Sequence, residues 1–171
     1  ISFGLLPSIM LYKLMCSTYG ESWLCYIPLC IAAFSALRLA KFNIDERQAD
    51  NFIGLPTPAC ALLCGSFAYY VMRDPSSVLY TWSESMLFIP IGAVVLSLLL
   101  VSEIPMFSMK FKKDAPMELK WIRLAFIAVA TLAIIASLII IQPATHAISH
   151  AILFIFIAYI LLNLVQAVIR K

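Results

Sequence analysis

The chain has 171 residues, of which 63% are hydrophobic and 12% charged, with a formal net charge of +3 and a mean hydropathy of +0.98. Soluble domains carry about a quarter charged residues, so this composition excludes an ordinary soluble domain and points to an integral membrane protein. The small net charge gives no basis for a nucleic-acid partner.

The chain opens at Ile1 inside an apolar run, with no basic leader and no cleavage site. It therefore reads as the C-terminal part of a longer polypeptide, a single membrane domain over 1–171. Six apolar stretches follow, measured against the roughly 20 residues a spanning helix needs. They cover about Ile1–Cys16, Trp23–Ala40, Pro58–Met72, Ser85–Val101, Ile122–Ile141 and Ile148–Ile169. The expected fold is all-α, a polytopic bundle of six transmembrane helices. Five cysteines (Cys16, Cys25, Cys30, Cys60, Cys64) lie in or beside these stretches without a C-x-x-C spacing. They read as small buried hydrophobes rather than disulfides or metal ligands.

The cations sort by side. Arg38, Lys41 and Arg47 follow the second stretch, Lys110, Lys112, Lys113, Lys120 and Arg123 surround the link between the fourth and fifth, and Arg170 and Lys171 end the chain. Only Lys13 and Arg73 lie on the opposite side, so ten of twelve cations fall on alternate ends. The positive-inside rule puts those ends in the cytoplasm. Ala32, Ala36 and Ala40 in the second stretch, and Cys60, Cys64 and Ala68 beside Ala61 and Gly65 in the third, have the small-residue spacing of close helix contacts. The expectation is that these two helices pack together. The fifth stretch is bulky and uniform in Ile and Leu, as a lipid-facing helix would be.

Arg38 and Lys41 stand three apart on one helix face. Cations at a helix end complement the macrodipole and snorkel to headgroups; an arginine one turn deeper also suits a phosphate or carboxylate. Thr57-Pro58 reads as an N-cap followed by a proline at the first helical position, with Gly54 and Pro56 shaping the approach. A helix N-terminus and two cations would then share one membrane surface, a workable anion pocket. His146 and His150 are four apart, a metal-ligand spacing without a nearby third ligand. Asn163 and Gln166 suit interhelical hydrogen bonds.

The stretch Arg38-Leu-Ala-Lys-Phe-Asn43, followed by Phe52-Ile-Gly-Leu-Pro-Thr-Pro58, resembles the R-L-A-[KR]-F-N … F-x-G-L-P-x-P signature of bacterial CDP-diacylglycerol–serine O-phosphatidyltransferases, within the CDP-alcohol phosphotransferase family. The opening Ser2-Phe3-Gly4-Leu5-Leu6-Pro7 resembles the S-F-G-x-x-P segment that follows the family's aspartate motif, D-G-x2-A-R-x8-G-x3-D-x3-D. Pro105 to Lys110, with Ser108, resembles an I-P-x-x-S-x-K loop whose simpler use is contact with anionic lipid. The resemblance implies transfer of a phosphatidyl group from CDP-diacylglycerol to L-serine, releasing CMP. It also implies a Mg²⁺ or Mn²⁺ ion held by the aspartates, none of which stands in this chain, so no catalytic residue is expected here and the chain alone is expected to be inactive. By the same resemblance Arg38, Lys41, Asn43 and Thr57 bind substrate, and Phe3, Gly4, Pro7, Phe42, Gly54 and Pro56 form the wall. The partners implied are CDP-diacylglycerol, L-serine and membrane lipids, with a second copy of the chain as a candidate. The place implied is a bacterial inner membrane, with the site facing the cytoplasm.

Two other readings stay open: the same chemistry with another acceptor alcohol, such as glycerol phosphate or inositol phosphate, and a transporter or structural membrane subunit. An extra phosphate should demand more basic residues than Arg38 and Lys41. Transport is disfavoured because no ionisable residue sits in the middle of a span.

Overall fold

The computed structural model describes residues 2–44, 52–106, 117–141 and 144–169. Each apolar stretch is a helix. The helices in order are α1 (Ser2–Tyr19), α2 (Cys30–Ile44), α3 (Thr57–Arg73), α4 (Val78–Ser83), α5 (Phe88–Val101), α6 (Met117–Ile140) and α7 (Ala144–Ile169); the short α4 falls outside the six stretches. The architecture is all-α. Trp23–Ile44 and His146–Ala167 are long and apolar enough to cross a membrane, while Phe88–Val101 and Leu124–Ile140 are shorter apolar helices.

The second stretch does not begin as an α-helix. Trp23–Leu29 is a 3₁₀ helix with Pro28 inside it. These tighter i→i+3 turns carry the chain into α2. The 3₁₀ segment lies back along α1, where the Tyr12 and Tyr26 rings stand 5.4 Å apart.

Helix α3 is the central element. It packs between α1 and α7, and Cys60, Cys64, Ala68 and Val71 are almost wholly buried. Helix α2 instead packs on α5 and α1. The expected α2–α3 contact is therefore corrected: α1 separates the two faces. Small residues allow close approach but do not name the partner. Ala32 and Ser35 of α2 receive Gly4 of α1, where an added Cβ would lie 2.5 Å from the Ser35 Cβ and 3.4 Å from the Ala32 Cα. Ala36 and Ala40 are exposed. On α3, Gly65 has no atom within 4 Å of a would-be Cβ; it borders a groove of about 510 Å³ between α1, α3 and α7.

Helix α6 packs on α7 alone among its major partners and leaves Leu132, Ile135, Ile139 and Ile140 more than half exposed, as its composition led one to expect. Ser137 is buried on its inner face and shares a 3.0 Å hydrogen bond with His150 Nδ1. The His150 ring also packs against Tyr70 and Phe154. This histidine is a packed, hydrogen-bonded bridge, and among the described residues no three His, Cys, Asp or Glu side chains are grouped to hold a metal. Asn163 donates to the Tyr159 carbonyl of its own helix at 2.7 Å.

The two ends of the bundle are closed differently. At one end the Tyr19 hydroxyl donates to the Ser83 carbonyl, tying α1 to α4. Asp74 ends α3 nearby, accepting from the Ser76 hydroxyl at 2.6 Å and the Ser76 N–H at 3.2 Å. The Ser76 hydroxyl bond holds this carboxyl below the usual range. At the other end two short strands, β1 (Phe52–Ile53) and β2 (Pro105–Met106), pair antiparallel, with Phe52 opposite Met106 and Ile53 opposite Pro105. That ladder fixes the loop between α2 and α3 onto the chain leaving α5.

Candidate functional site

The loop over residues 52–56 is the floor on which the site is built. Gly54 has φ +75°, a conformation that favours glycine. Its N–H donates to the Ile104 carbonyl at 2.9 Å, and the Leu55 N–H donates to the Leu99 carbonyl at 2.9 Å. An added Cβ at Gly54 would meet the Ser102, Leu100 and Leu99 carbonyl oxygens at 2.7, 2.8 and 3.2 Å. Position 54 is thus restricted twice, by backbone conformation and by contact with the end of α5. Leu55 is fully buried beneath it, with Leu100 and Met106 almost or wholly so. The remaining carbonyl of Gly54 is left facing α2.

Arg38 reaches that carbonyl from the last turns of α2, with Nη2 3.5 Å from the Gly54 oxygen. Its guanidinium also lies in electrostatic reach of Tyr159 on α7 and Cys60 on α3, so it sits where three helices and the loop meet. The Arg38 Nε is buried and, among the described residues, has no hydrogen-bond partner. A planar guanidinium offers five donors, and buried polar groups are normally paired. Among the described residues this one is held by a single long bond, which leaves its other donors open to an anion.

Lys41 is engaged differently. Its ammonium is 3.4 Å from the Val101 carbonyl and 3.4 Å from Glu103 Oε1. It thus complements the C-terminus of α5 rather than only that of its own helix, the favourable end for a cation. Phe42 and Asn43 follow on exposed positions of α2.

Thr57 opens α3, but as the first helical residue rather than the cap. Pro56 occupies the N-cap position (φ −60°, ψ 131°), no side chain caps the helix, and Pro58 falls within its first turn. The first bond runs from the Cys60 N–H to the Pro56 carbonyl at 3.1 Å. The α3 N-terminus follows directly on the Arg38–Gly54 contact, with its first N–H groups free of a side-chain cap, as an anion site requires.

The remaining wall residues divide between two faces of α1. Gly4 is pressed against Ser35, one turn before Arg38. Phe3 and Pro7 border the groove with Ala61, Gly65 and Ile148. The structure therefore brings Arg38, Lys41, Gly54, Pro56 and Thr57 into one cluster and turns Phe3 and Pro7 toward another. Ser108 and Lys110 of the I-P-x-x-S-x-K stretch lie outside the described residues, as do the side chains of Lys120 and Arg123. Glu103 was not singled out from the sequence. Its one signal was a lone acid between an apolar helix and a basic loop.

Curated relatives match the chain over most of its length. The chain is 31% identical over 153 residues to the CDP-diacylglycerol–serine O-phosphatidyltransferase of Mycobacterium leprae, covering 84% of this chain and 46% of that protein. It is 32% identical over 145 residues to the Helicobacter pylori (strain 26695) protein of the same name, covering 84% and 55%. The Bacillus subtilis protein of that name is 30% identical over 121 residues, covering 70% and 59%. No family model and no solved structure matches the chain. The chain spans about half the length of the curated relatives it matches. By these matches, spread over most of its own length, the chain is a homologue of the CDP-diacylglycerol–serine O-phosphatidyltransferases.

Proposed function

We propose that this chain forms the anion-binding side of an enzyme that transfers a phosphatidyl group from CDP-diacylglycerol to L-serine, giving phosphatidylserine and CMP. The observation that carries the reading is Arg38: a half-buried guanidinium whose Nε has no partner among the described residues, placed where α2 meets the loop leading into α3. A serine carboxylate or a phosphate of the nucleotide lipid would supply the missing acceptors. In the reaction the serine hydroxyl oxygen bonds to the phosphatidyl phosphorus, the pyrophosphate bridge breaks, CMP leaves, and the hydroxyl proton passes to a base. Arg38, with the N-terminus at Thr57, would bind and orient these anions and stabilise charge in the transition state, while Lys41 is engaged by Val101 and Glu103. Asn43 and Phe42 stand at the exposed rim.

The divalent ion that the resemblance implies finds no fitting donor set among the described residues, so no step is assigned to it here. Its Mg²⁺ or Mn²⁺ site belongs, in this reading, to aspartates that the 171 residues do not contain. The bundle is proposed to span a bacterial inner membrane six times, with α6 facing lipid and the Arg38 end facing the cytoplasm.

The test is a headgroup assay on the intact protein with CDP-diacylglycerol, Mn²⁺ and a series of acceptor alcohols. The reading requires CMP release that depends on serine; release with glycerol phosphate or inositol phosphate and not with serine would overturn it. The 171-residue chain alone is expected to release no CMP above background.

A further inference from the structure

The Arg38 end carries one acid among the described side chains, and its setting gives that acid a use. Glu21, Asp74 and Glu84 belong to the opposite end, where Tyr19 reaches Ser83 and Tyr70 reaches Asp74. Glu103 follows α5 directly. One of its oxygens is 3.4 Å from Lys41 Nζ, while its side chain remains 72% exposed. Lys41 is held at the same time by the Val101 carbonyl, so the ammonium fixes the acid beside the α5 terminus. The adjacent Ile104 carbonyl accepts from Gly54, whose own carbonyl accepts from Arg38. The guanidinium and the carboxylate are therefore linked through one short stretch of backbone.

Among the described side chains Glu103 offsets Lys41, Arg38 has no acidic partner, and an exposed carboxylate stands on the stretch that the Gly54 loop joins to Arg38. A ligand lying across the two meets one positive and one negative group. A zwitterion fits that pattern. A phosphate monoester, with a charge of about −1.5 to −2 near neutral pH, is attracted by one group and repelled by the other, and specificity follows from the repulsion as much as from the attraction.

Resting on the phosphatidyl-transfer reading, we propose that Glu103 is a specificity-determining residue: its carboxylate accepts a hydrogen bond from the ammonium of an amino-alcohol acceptor and disfavours alcohols that bear a phosphate. Lys41 is then a positioning residue that holds Glu103 in place.

The experiment compares serine, 3-hydroxypropionate (the same acceptor without its ammonium) and glycerol 3-phosphate, in the intact protein and its Glu103→Gln variant. Wild type should prefer serine over 3-hydroxypropionate by about tenfold, one charge-assisted bond discounted for exposure. Glu103→Gln should raise the serine KM by about tenfold with kcat within about twofold, leave 3-hydroxypropionate unchanged and improve glycerol 3-phosphate. Equal losses with serine and 3-hydroxypropionate would show a loop anchor only, and no change in any acceptor would show no role; either overturns the inference. If the variant does not fold, the wild-type comparison decides, since equal efficiency with serine and 3-hydroxypropionate overturns the inference by itself. An intact protein that uses none of these acceptors removes the phosphatidyl-transfer reading itself.

Discussion

Replacing Gly54 by alanine should strike the site through its floor. The residue has φ +75°, and a Cβ there would approach three carbonyl oxygens of the α5 terminus, the nearest at 2.7 Å. These are backbone atoms in a helix end and cannot rotate away. The left-handed conformation costs an L-residue about 1–2 kcal/mol, and forcing a methyl into a filled contact about 1–3 kcal/mol. Together the expected loss is about 2–5 kcal/mol. The strain falls on the Gly54–Ile104 and Leu55–Leu99 hydrogen bonds, so the loop that holds Arg38 should lift. Denaturant unfolding in mild detergent, followed by tryptophan fluorescence, measures the loss. Hydrogen exchange at residues 52–56 should rise in the same variant. A stability change below about 1 kcal/mol, with unchanged exchange, would refute the reasoning, because it would mean that the loop does not depend on this close contact.

Two other glycines should separate in opposite directions. Gly4→Ala drives a methyl to within 2.5 Å of Ser35 and should cost about 1–3 kcal/mol, whereas Gly65→Ala enters open space and should be neutral or stabilising by up to about 1 kcal/mol; thermal unfolding of both in one detergent checks the order, and the reverse order would be inconsistent with the α1–α2 contact. The Asp74 carboxyl, held low first by the Ser76 hydroxyl and then by the Ser76 N–H, contributes stability that is present above the ordinary carboxylate pKa and lost as pH falls through its own lower value. Ser76→Ala should raise the Asp74 titration toward the ordinary value, read by carboxyl NMR, and an unshifted curve would contradict the assignment.

Six of the helices were legible because each is a long apolar run with no competing period, whereas the six-residue α4 was not; bulky residues such as Ile139 and Ile140 announced a surface face. Their partners were not. Ala32 and Cys64 both report that a helix can come close, but only the assembled chain shows that Gly4 of α1 takes the Ala32–Ser35 face. The 3₁₀ turn was not announced by Pro28, since Pro7 and Pro90 sit within the α-helices α1 and α5. The cap at α3 was placed one residue late, since Thr57 looks like a cap while Pro56 holds that position. Arg38 and Gly54 were each visible through their motif, but the contact between them was not. The grip of Lys41 on Val101 and Glu103 spans about 60 residues of sequence, and no local pattern encodes it.

Arg38→Lys tests most directly whether the Arg38 guanidinium binds the substrate anions. Lysine keeps the positive charge and any topological role but loses the planar fork. Measured as serine-dependent CMP release by the intact protein, with expression and folding matched, catalytic efficiency should fall about 10²-fold or more, on the order of 3 kcal/mol of transition-state stabilisation. A lysine variant within about twofold of wild type, at limiting serine and at limiting CDP-diacylglycerol, would show that Arg38 only anchors the helix end.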